Sequence, residues 1–314
     1  MMGSTPRIGL IGLGNAGQAM LRPLSLRYPM AIHDRDPARC DQSLAACKAP
    51  PTVSPSAAAL AESAELVILS LPNPAASLSV AGEIRDALSP GTIVVETSTV
   101  RPEDIEALHE ILGPAGARVI DVALVGGVAK LAEGQAVFLA GMEEAEAGLA
   151  GEVLDAMADE IFFLGARGNG MRTKLVVNAV AHAVYVVLVE AGALAAAQDI
   201  PLAVLQRLLE RESGLARPLS HRFGERLQNH DFDGGMSTLN ARKDSRLILD
   251  EAHELGVPLF AIPAAHSVYE LALREGLGSL DYASIGQLWE KWLEIDFAGM
   301  TGGKDETRAD DDSG

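Results

Sequence analysis

Two groups of residues in this chain have types and spacings suited to chemistry. The first is Gly12-Leu13-Gly14-Asn15-Ala16-Gly17, a G-x-G-x-x-G run at the end of the hydrophobic stretch Arg7–Leu13. By itself that spacing fits either a plain glycine turn or a dinucleotide loop. In a dinucleotide loop the first glycine permits the turn, the second lets the backbone approach a pyrophosphate, and the third lets helix and strand pack closely. The free N–H groups and positive end of the following helix then face the phosphates. Asp34 ends the strand-like MAIHD, 22 residues after Gly12, where an acid accepts the hydroxyls of the adenosine ribose. A carboxylate there repels a 2′-phosphate, so NAD is expected ahead of NADP. Arg35 follows directly and can stack on adenine or accept that phosphate.

The second group is Lys174 and Asn178, four residues apart and therefore on one face of a helix. A lysine shielded from water has its charged form disfavoured, so it can exchange a proton near working pH. Beside a hydride-transfer centre it would take the proton of a hydroxyl, or return one to a carbonyl, while Asn178 orients the oxygen. A lysine snorkelling to the surface beside an incidental asparagine fits the same spacing. His182 continues the stripe and is expected to be a hydrogen-bonded core histidine. Ser98 and Thr99 end a strand-like run, and their hydroxyls suit a substrate carboxylate or a ribose, or the cap of the helical run at Pro102. The amides of Gly126 and Gly127, after another strand, can cradle a carboxylate.

These residues must be held by a recognisable scaffold. Strands are expected at Arg7–Leu13, Met30–His33, Leu66–Leu71, Thr92–Ser98, Arg118–Val125, Ala136–Gly141 and Ile161–Leu164. Helical segments separate them, several with proline near their starts. Such alternation predicts an α/β fold with a mostly parallel, doubly wound sheet over residues 1–165. After Gly165 helical periodicity takes over, predicting an all-helical domain over 166–297, and the polar stretch 298–314 is expected to be a disordered acidic tail.

Five segments, in order, carry a family resemblance: the glycine run, ETSTVRP (Glu96–Pro102), DVALVGGVAKLAEGQAVFLAG (Asp121–Gly141), GNGMRTKLVVNAV (Gly168–Val180) and ARKDSRLILDEAHELGVPLF (Ala241–Phe260). The chain resembles the β-hydroxyacid dehydrogenases, a family that includes 3-hydroxyisobutyrate dehydrogenase and tartronate semialdehyde reductase, over about Arg7 to Asp296. The resemblance implies a Rossmann-type domain, a nicotinamide cofactor, and interconversion of a small 3-hydroxy acid with its semialdehyde. It implies that Lys174 is the catalytic lysine and Asn178 its substrate-orienting neighbour. Ser98, Gly126 and Gly127 would hold substrate. Thr99, Leu71 and Pro72 would lie along the cofactor, and Lys243 over its nicotinamide edge, with Asp244 bracing the helix. The family usually has Ser-Gly-Gly where this chain has Val125-Gly126-Gly127, a lost hydroxyl donor that points to a less polar substrate group or an altered anchor. A 6-phosphogluconate dehydrogenase-like enzyme would carry histidine at the position of Val177, and imine reductases typically replace the lysine. A cofactor-sensing protein without chemistry would not need Lys174, Asn178 and Lys243.

Composition narrows the partners. A net charge of −18 with no basic cluster argues against nucleic acid and anionic membrane surfaces. Cys40 and Cys47 are the two cysteines and are expected to be reduced thiols in a cytoplasmic protein. Leu175–Ala197 approaches a membrane span in length and apolarity, but Asn178, His182 and Glu190 favour a helix buried between the two domains. So apolar a helix also predicts a homodimer or homotetramer. No metal site is expected.

Overall fold

The computed structural model describes residues 5–211 and 215–300; the expected acidic tail lies, from residue 301 onward, outside the described residues. The chain separates into two compact units at Ala179/Val180, inside a helix rather than at the glycines near residue 165.

The first unit is built on an eight-stranded sheet in the order β3-β2-β1-β4-β5-β6-β7-β8. Its strands are β1 (Ile8–Ile11), β2 (Met30–His33), β3 (Thr52–Val53), β4 (Leu66–Leu69), β5 (Ile93–Glu96), β6 (Arg118–Val125), β7 (Ala136–Ala140) and β8 (Ala158–Phe163). Helices α1 (Asn15–Leu24), α2 (Pro37–Ala46), α3 (Ala57–Ser63), α4 (Pro74–Ile84), α5 (Pro102–Leu112), α6 (Val128–Ala132) and α7 (Gly148–Asp155) connect them. The β6–β7 pair is antiparallel and the other pairs are parallel. The short α6 link is too brief for the crossover a parallel return needs.

Both faces of the sheet are covered, so its central strands are apolar throughout. Ile8, Leu10, Ile32, Ile68 and Ile120 join one core cluster. Ile11, Val67, Val94 and Val119, offset by the strand period of two, join the other with Leu60, Ile105 and Met171. Several helices start on local caps: Asp36 Oδ1 accepts from Ala38 N–H at 3.1 Å and Asn73 Oδ1 from Ala76 N–H at 2.9 Å, each just before a proline at the first helical position.

Helix α8 (Asn169–Ala197) begins in this unit and ends in the second, which continues with α9 (Leu202–Leu209), α10 (Thr238–Glu254), α11 (Ala261–Arg274) and α12 (Gly286–Leu293). In the second unit the Glu190 carboxylate accepts N–H bonds from Phe260, Ala261 and Ile262 at 2.6, 2.8 and 3.2 Å, closing the open start of α11. Burial opposes its charge, but the three donors outweigh that and hold its carboxyl below the usual range.

Two expectations for α8 are corrected. Among the described residues it is long and apolar enough to cross a membrane by composition, yet it is not buried within this chain: Val176, Val180, Tyr185 and Val189 are 66, 60, 70 and 55% exposed. His182 is exposed rather than a core histidine. A helix apolar all round meets two different surroundings here, and periodicity alone cannot tell which side stays bare. Cys40 and Cys47 are both free thiols.

Candidate active site

The glycine loop closes the carboxyl end of β1. Gly12 has φ +97° and donates its N–H to His33 O at 2.9 Å; a Cβ there would clash with Ser70 O. A Cβ on Gly17 would clash with Gly12 O, which is the close helix–strand approach that demands glycine. Gly14 differs. The nearest atom to a Cβ there is Arg39 Nη1 at 3.8 Å, so the space in front of it is open.

That space belongs to a cavity of about 560 Å³, lined by Gly12, Gly14, Asn15, Ala16, Asp34, Arg35, Leu71 and Pro72 together with Ser70 and Arg39. Gly17 and Leu13 do not line it. Leu13 is fully buried in the core, and its N–H donates to Asp34 Oδ2 at 2.7 Å. Asp34 Oδ1 accepts from Asp36 N–H at 2.9 Å, and Arg39 Nη1 stands 3.7 Å from Oδ2. Asp34 thus fastens the loop to the end of β2 while presenting a partly compensated charge to the cavity.

The next strand ends carry the Ser98 region. Ser98 is buried, its N–H donates to Glu96 Oε1 at 2.7 Å, and its Oγ accepts from Leu71 N–H at 2.8 Å. The hydroxyl therefore ties the Leu71-Pro72 loop to β5, and its own hydrogen has the buried Glu96 carboxylate beside it as an acceptor. Thr99 is exposed. Glu96 is fully buried, and burial pushes its carboxyl above the usual 4.5. Glu96 Oε2 and the neighbouring Ser77 Oγ lack hydrogen-bond partners of good geometry among the described residues. Gly126 and Gly127 follow β6 with φ of +96° and +90° and open space at both Cβ positions. Backbone shape demands glycine there, and the exposed amides remain free to approach a ligand. Val125, beside them, is half-buried and packs on the core cluster that holds Val119 and Ala123.

Lys174 and Asn178 are both half-buried, one turn apart on α8. Removal from water lowers the Lys174 ammonium below its usual 10.5, and this desolvation is the whole cause. Lys243 belongs to the second unit, on α10, where it is exposed and its Nζ lies 2.8 Å from Asp244 Oδ1.

Comparison with known proteins now decides the family. Residues 7–165 match the NAD-binding domain of 6-phosphogluconate dehydrogenase, and residues 168–289 match the NAD-binding region of NADP-dependent 3-hydroxyisobutyrate dehydrogenase. The chain belongs to the β-hydroxyacid dehydrogenase family. The mitochondrial 3-hydroxyisobutyrate dehydrogenase of Drosophila melanogaster is 29% identical over 297 residues, spanning 92% of this chain and 91% of its own length. An imine reductase from a Pseudomonas species superposes with a TM-score of 0.82 at 19% identity, over 91% of this chain and all of its own. The 3-hydroxyisobutyrate dehydrogenase of Mycobacterium tuberculosis, solved with L-serine, gives 0.63 at 24% identity, over 91% and 99%. At these identities the two structures speak for the fold.

As a β-hydroxyacid dehydrogenase the chain carries an NAD(P)-binding domain, and the loop fits a dinucleotide: Gly12 and Gly17 have no room for a side chain, while Gly14 leaves the cavity open. Arg39 and Glu96 are two site neighbours that the sequence reading missed. Arg39 has a local signal, because Asp36 caps α2 and Arg39 falls three residues later, on the side facing back to Asp34. Glu96 has no such signal, since an acid ending a strand is ordinarily solvated.

Proposed function

We propose that this family member is an NAD-dependent dehydrogenase of a small 3-hydroxy acid, or the reductase of the matching semialdehyde, with Lys174 as the proton-exchanging group. The half-buried Lys174, its charge disfavoured by desolvation and with Asn178 one turn away, is the observation that carries this reading. A nicotinamide dinucleotide held by the glycine loop would supply the hydride acceptor for oxidation and the hydride donor for reduction. In oxidation the neutral Lys174 amine takes the hydroxyl proton as the carbonyl forms; in reduction the ammonium returns it to the oxygen. Asn178 holds that oxygen toward Lys174. The Ser98 hydroxyl and the Gly126–Gly127 amides are suited to a substrate carboxylate, with Thr99 beside the cofactor. Asp34, at the end of β2, supports NAD by repelling a 2′-phosphate.

Lys174→Ala is expected to lower kcat by about 10²–10⁴-fold while NADH affinity stays within a few-fold. Oxidation by the unmodified enzyme should speed up, and reduction slow down, as pH rises through the lowered Lys174 pKa. Turnover of Lys174→Ala close to wild type on a panel of semialdehydes with NADH would remove Lys174 from the mechanism.

The same reading includes self-association. Val176, Val180, Tyr185 and Val189 on α8, with Leu202 and Leu208 on α9, are exposed apolar side chains that a second copy would cover. A homodimer or homotetramer is expected by light scattering at micromolar concentration, and a strict monomer would exclude it.

A further inference from the structure

The helix that carries Lys174 and Asn178 has no side chain of its own at the position where a helix is ordinarily capped. Gly168 precedes Asn169 there, with φ +86°. The first N–H groups of a helix have no partners within it and need an acceptor from elsewhere. In this chain the acceptor comes from the middle of β6. Asp121, fully buried, accepts from Gly168 N–H through Oδ1 at 2.6 Å and from Met171 N–H through Oδ2 at 2.9 Å. The partners are 47 and 50 residues away in sequence.

Space has been cleared for this clamp. A Cβ on Gly141, opposite on β7's end, would clash with Asp121 Oδ1, and one on Gly170 would lie 2.9 Å from Oδ2 and 2.5 Å from Leu139 O. The Asp121 main chain is itself pinned, because Gly141 N–H donates to Asp121 O at 2.9 Å. Two further contacts hold the same turn: Asn169 Nδ2 donates to Leu164 O at 2.7 Å, and Met171 is fully buried in the core. Lys174 follows Met171 by three residues. A helix turns by about 100° and rises about 1.5 Å per residue, so the start of α8 determines where Lys174 and Asn178 point.

We propose that Asp121 is a positioning residue for the reaction: its carboxylate sets the axial position and rotation of α8, and through them the aim of Lys174 and Asn178. The proposal rests on the reading of Lys174 as the proton-exchanging group. The capping position itself, Gly168, carries no side chain that could take this part.

Asp121→Asn is the near-isosteric test. It keeps one acceptor and turns the other oxygen into an N–H donor facing the N–H of Met171. The expected variant is folded, binds NADH within about twofold of wild type, and loses roughly 10–100-fold in kcat with a smaller change in KM, the scale of a misplacement of about 1 Å. In a background with Lys174→Ala and Asn178→Ala together the same substitution should cost nothing further in kcat, because the role is exerted through those two side chains. An additional loss there, or a parallel fall of kcat, NADH affinity and melting temperature in the single variant, would make Asp121 a general structural residue and overturn the proposal. So would a folded variant with kcat within threefold of wild type. Lys174→Ala alone separates the two readings. If it is fully active, the lysine reading fails and takes the positioning role with it; if it is inactive beside a fully active Asp121→Asn, the positioning role alone fails. Amide exchange in the unmodified protein is an arm that needs no variant: Gly168 and Met171 should exchange slowly despite lying at a helix start, and unprotected exchange at both would show that the clamp does not form.

Discussion

Replacing the three loop glycines by alanine, one at a time, should separate two physical roles that the G-x-G-x-x-G spacing merges. At Gly17 the new methyl runs into Gly12 O and stands 3.0 Å from Gly12 C, both backbone atoms that cannot swing aside. Overpacking of this kind costs about 1–3 kcal/mol. In a unit of this size each kcal/mol lowers the melting temperature by roughly 2–4 °C. Gly12→Ala meets Ser70 O and its carbon at 2.9 Å, and adds a φ of +97° that an L side chain rarely adopts. That conformation contributes at least about 1–2 kcal/mol more. Gly14→Ala should behave in the opposite way. Its φ of −66° suits alanine and its methyl meets nothing closer than 3.8 Å, so stability should change by no more than about 0.5 kcal/mol. The methyl, however, stands in the open space where the backbone must approach a pyrophosphate. NADH binding should weaken at least tenfold, about 1.4 kcal/mol. Thermal melts without cofactor and fluorescence titrations with NADH measure the two quantities independently. If Gly14→Ala binds NADH as wild type does, the loop is a turn and the cavity is not the pyrophosphate site. An unchanged melt for Gly17→Ala would refute the packing argument.

Two further expectations follow from the buried and half-buried acids. Asp34→Ser should weaken NAD binding, relax the bias against NADP, and loosen the loop by removing the acceptor of Leu13 N–H; a wild-type enzyme preferring NADPH tenfold or more would instead make Arg35 and Arg39 the determinants. Glu96 has a folded-state pKa above its usual 4.5, so the folded protein holds its proton more tightly than the unfolded chain and loses stability as pH rises through that window. Glu96→Gln keeps an acceptor for Ser98 N–H and removes the buried charge. It should therefore melt higher than wild type at pH 8, with the gain shrinking toward pH 4; a lower melt at pH 8 would contradict the assignment.

Much of the scaffold was legible in the sequence because its signals are local. Met30–His33 and Arg118–Val125 are strands with the bounds expected from their apolar runs, and Asp34, the glycine loop and the Lys174–Asn178 spacing need only their own few residues to be read. The two-residue β3 was missed because Thr52 and Val53 are exposed at the sheet edge and carry no apolar pattern. Local pattern also could not say that Leu13 turns into the core, or that Val125 packs on the core cluster.

What the tertiary structure alone decided are the pairings between distant segments. Asp121 and Gly168 are 47 residues apart, and Ser98 meets Leu71 across 27; no propensity or periodicity links them. Each side chain has a commonplace local reading, as an acid in a strand or a serine at a strand end. Parallel packing sets Asp121, in the middle of β6, level with Glu96 at the end of β5, and the antiparallel return of β7 brings the following chain back beside it; there these groups find acceptors and donors that chain order conceals. The surroundings of α8 were undetermined for the same reason. Its composition makes it apolar on every side, whereas which of its residues stay bare in the folded chain depends on packing that the helix's own residues do not encode.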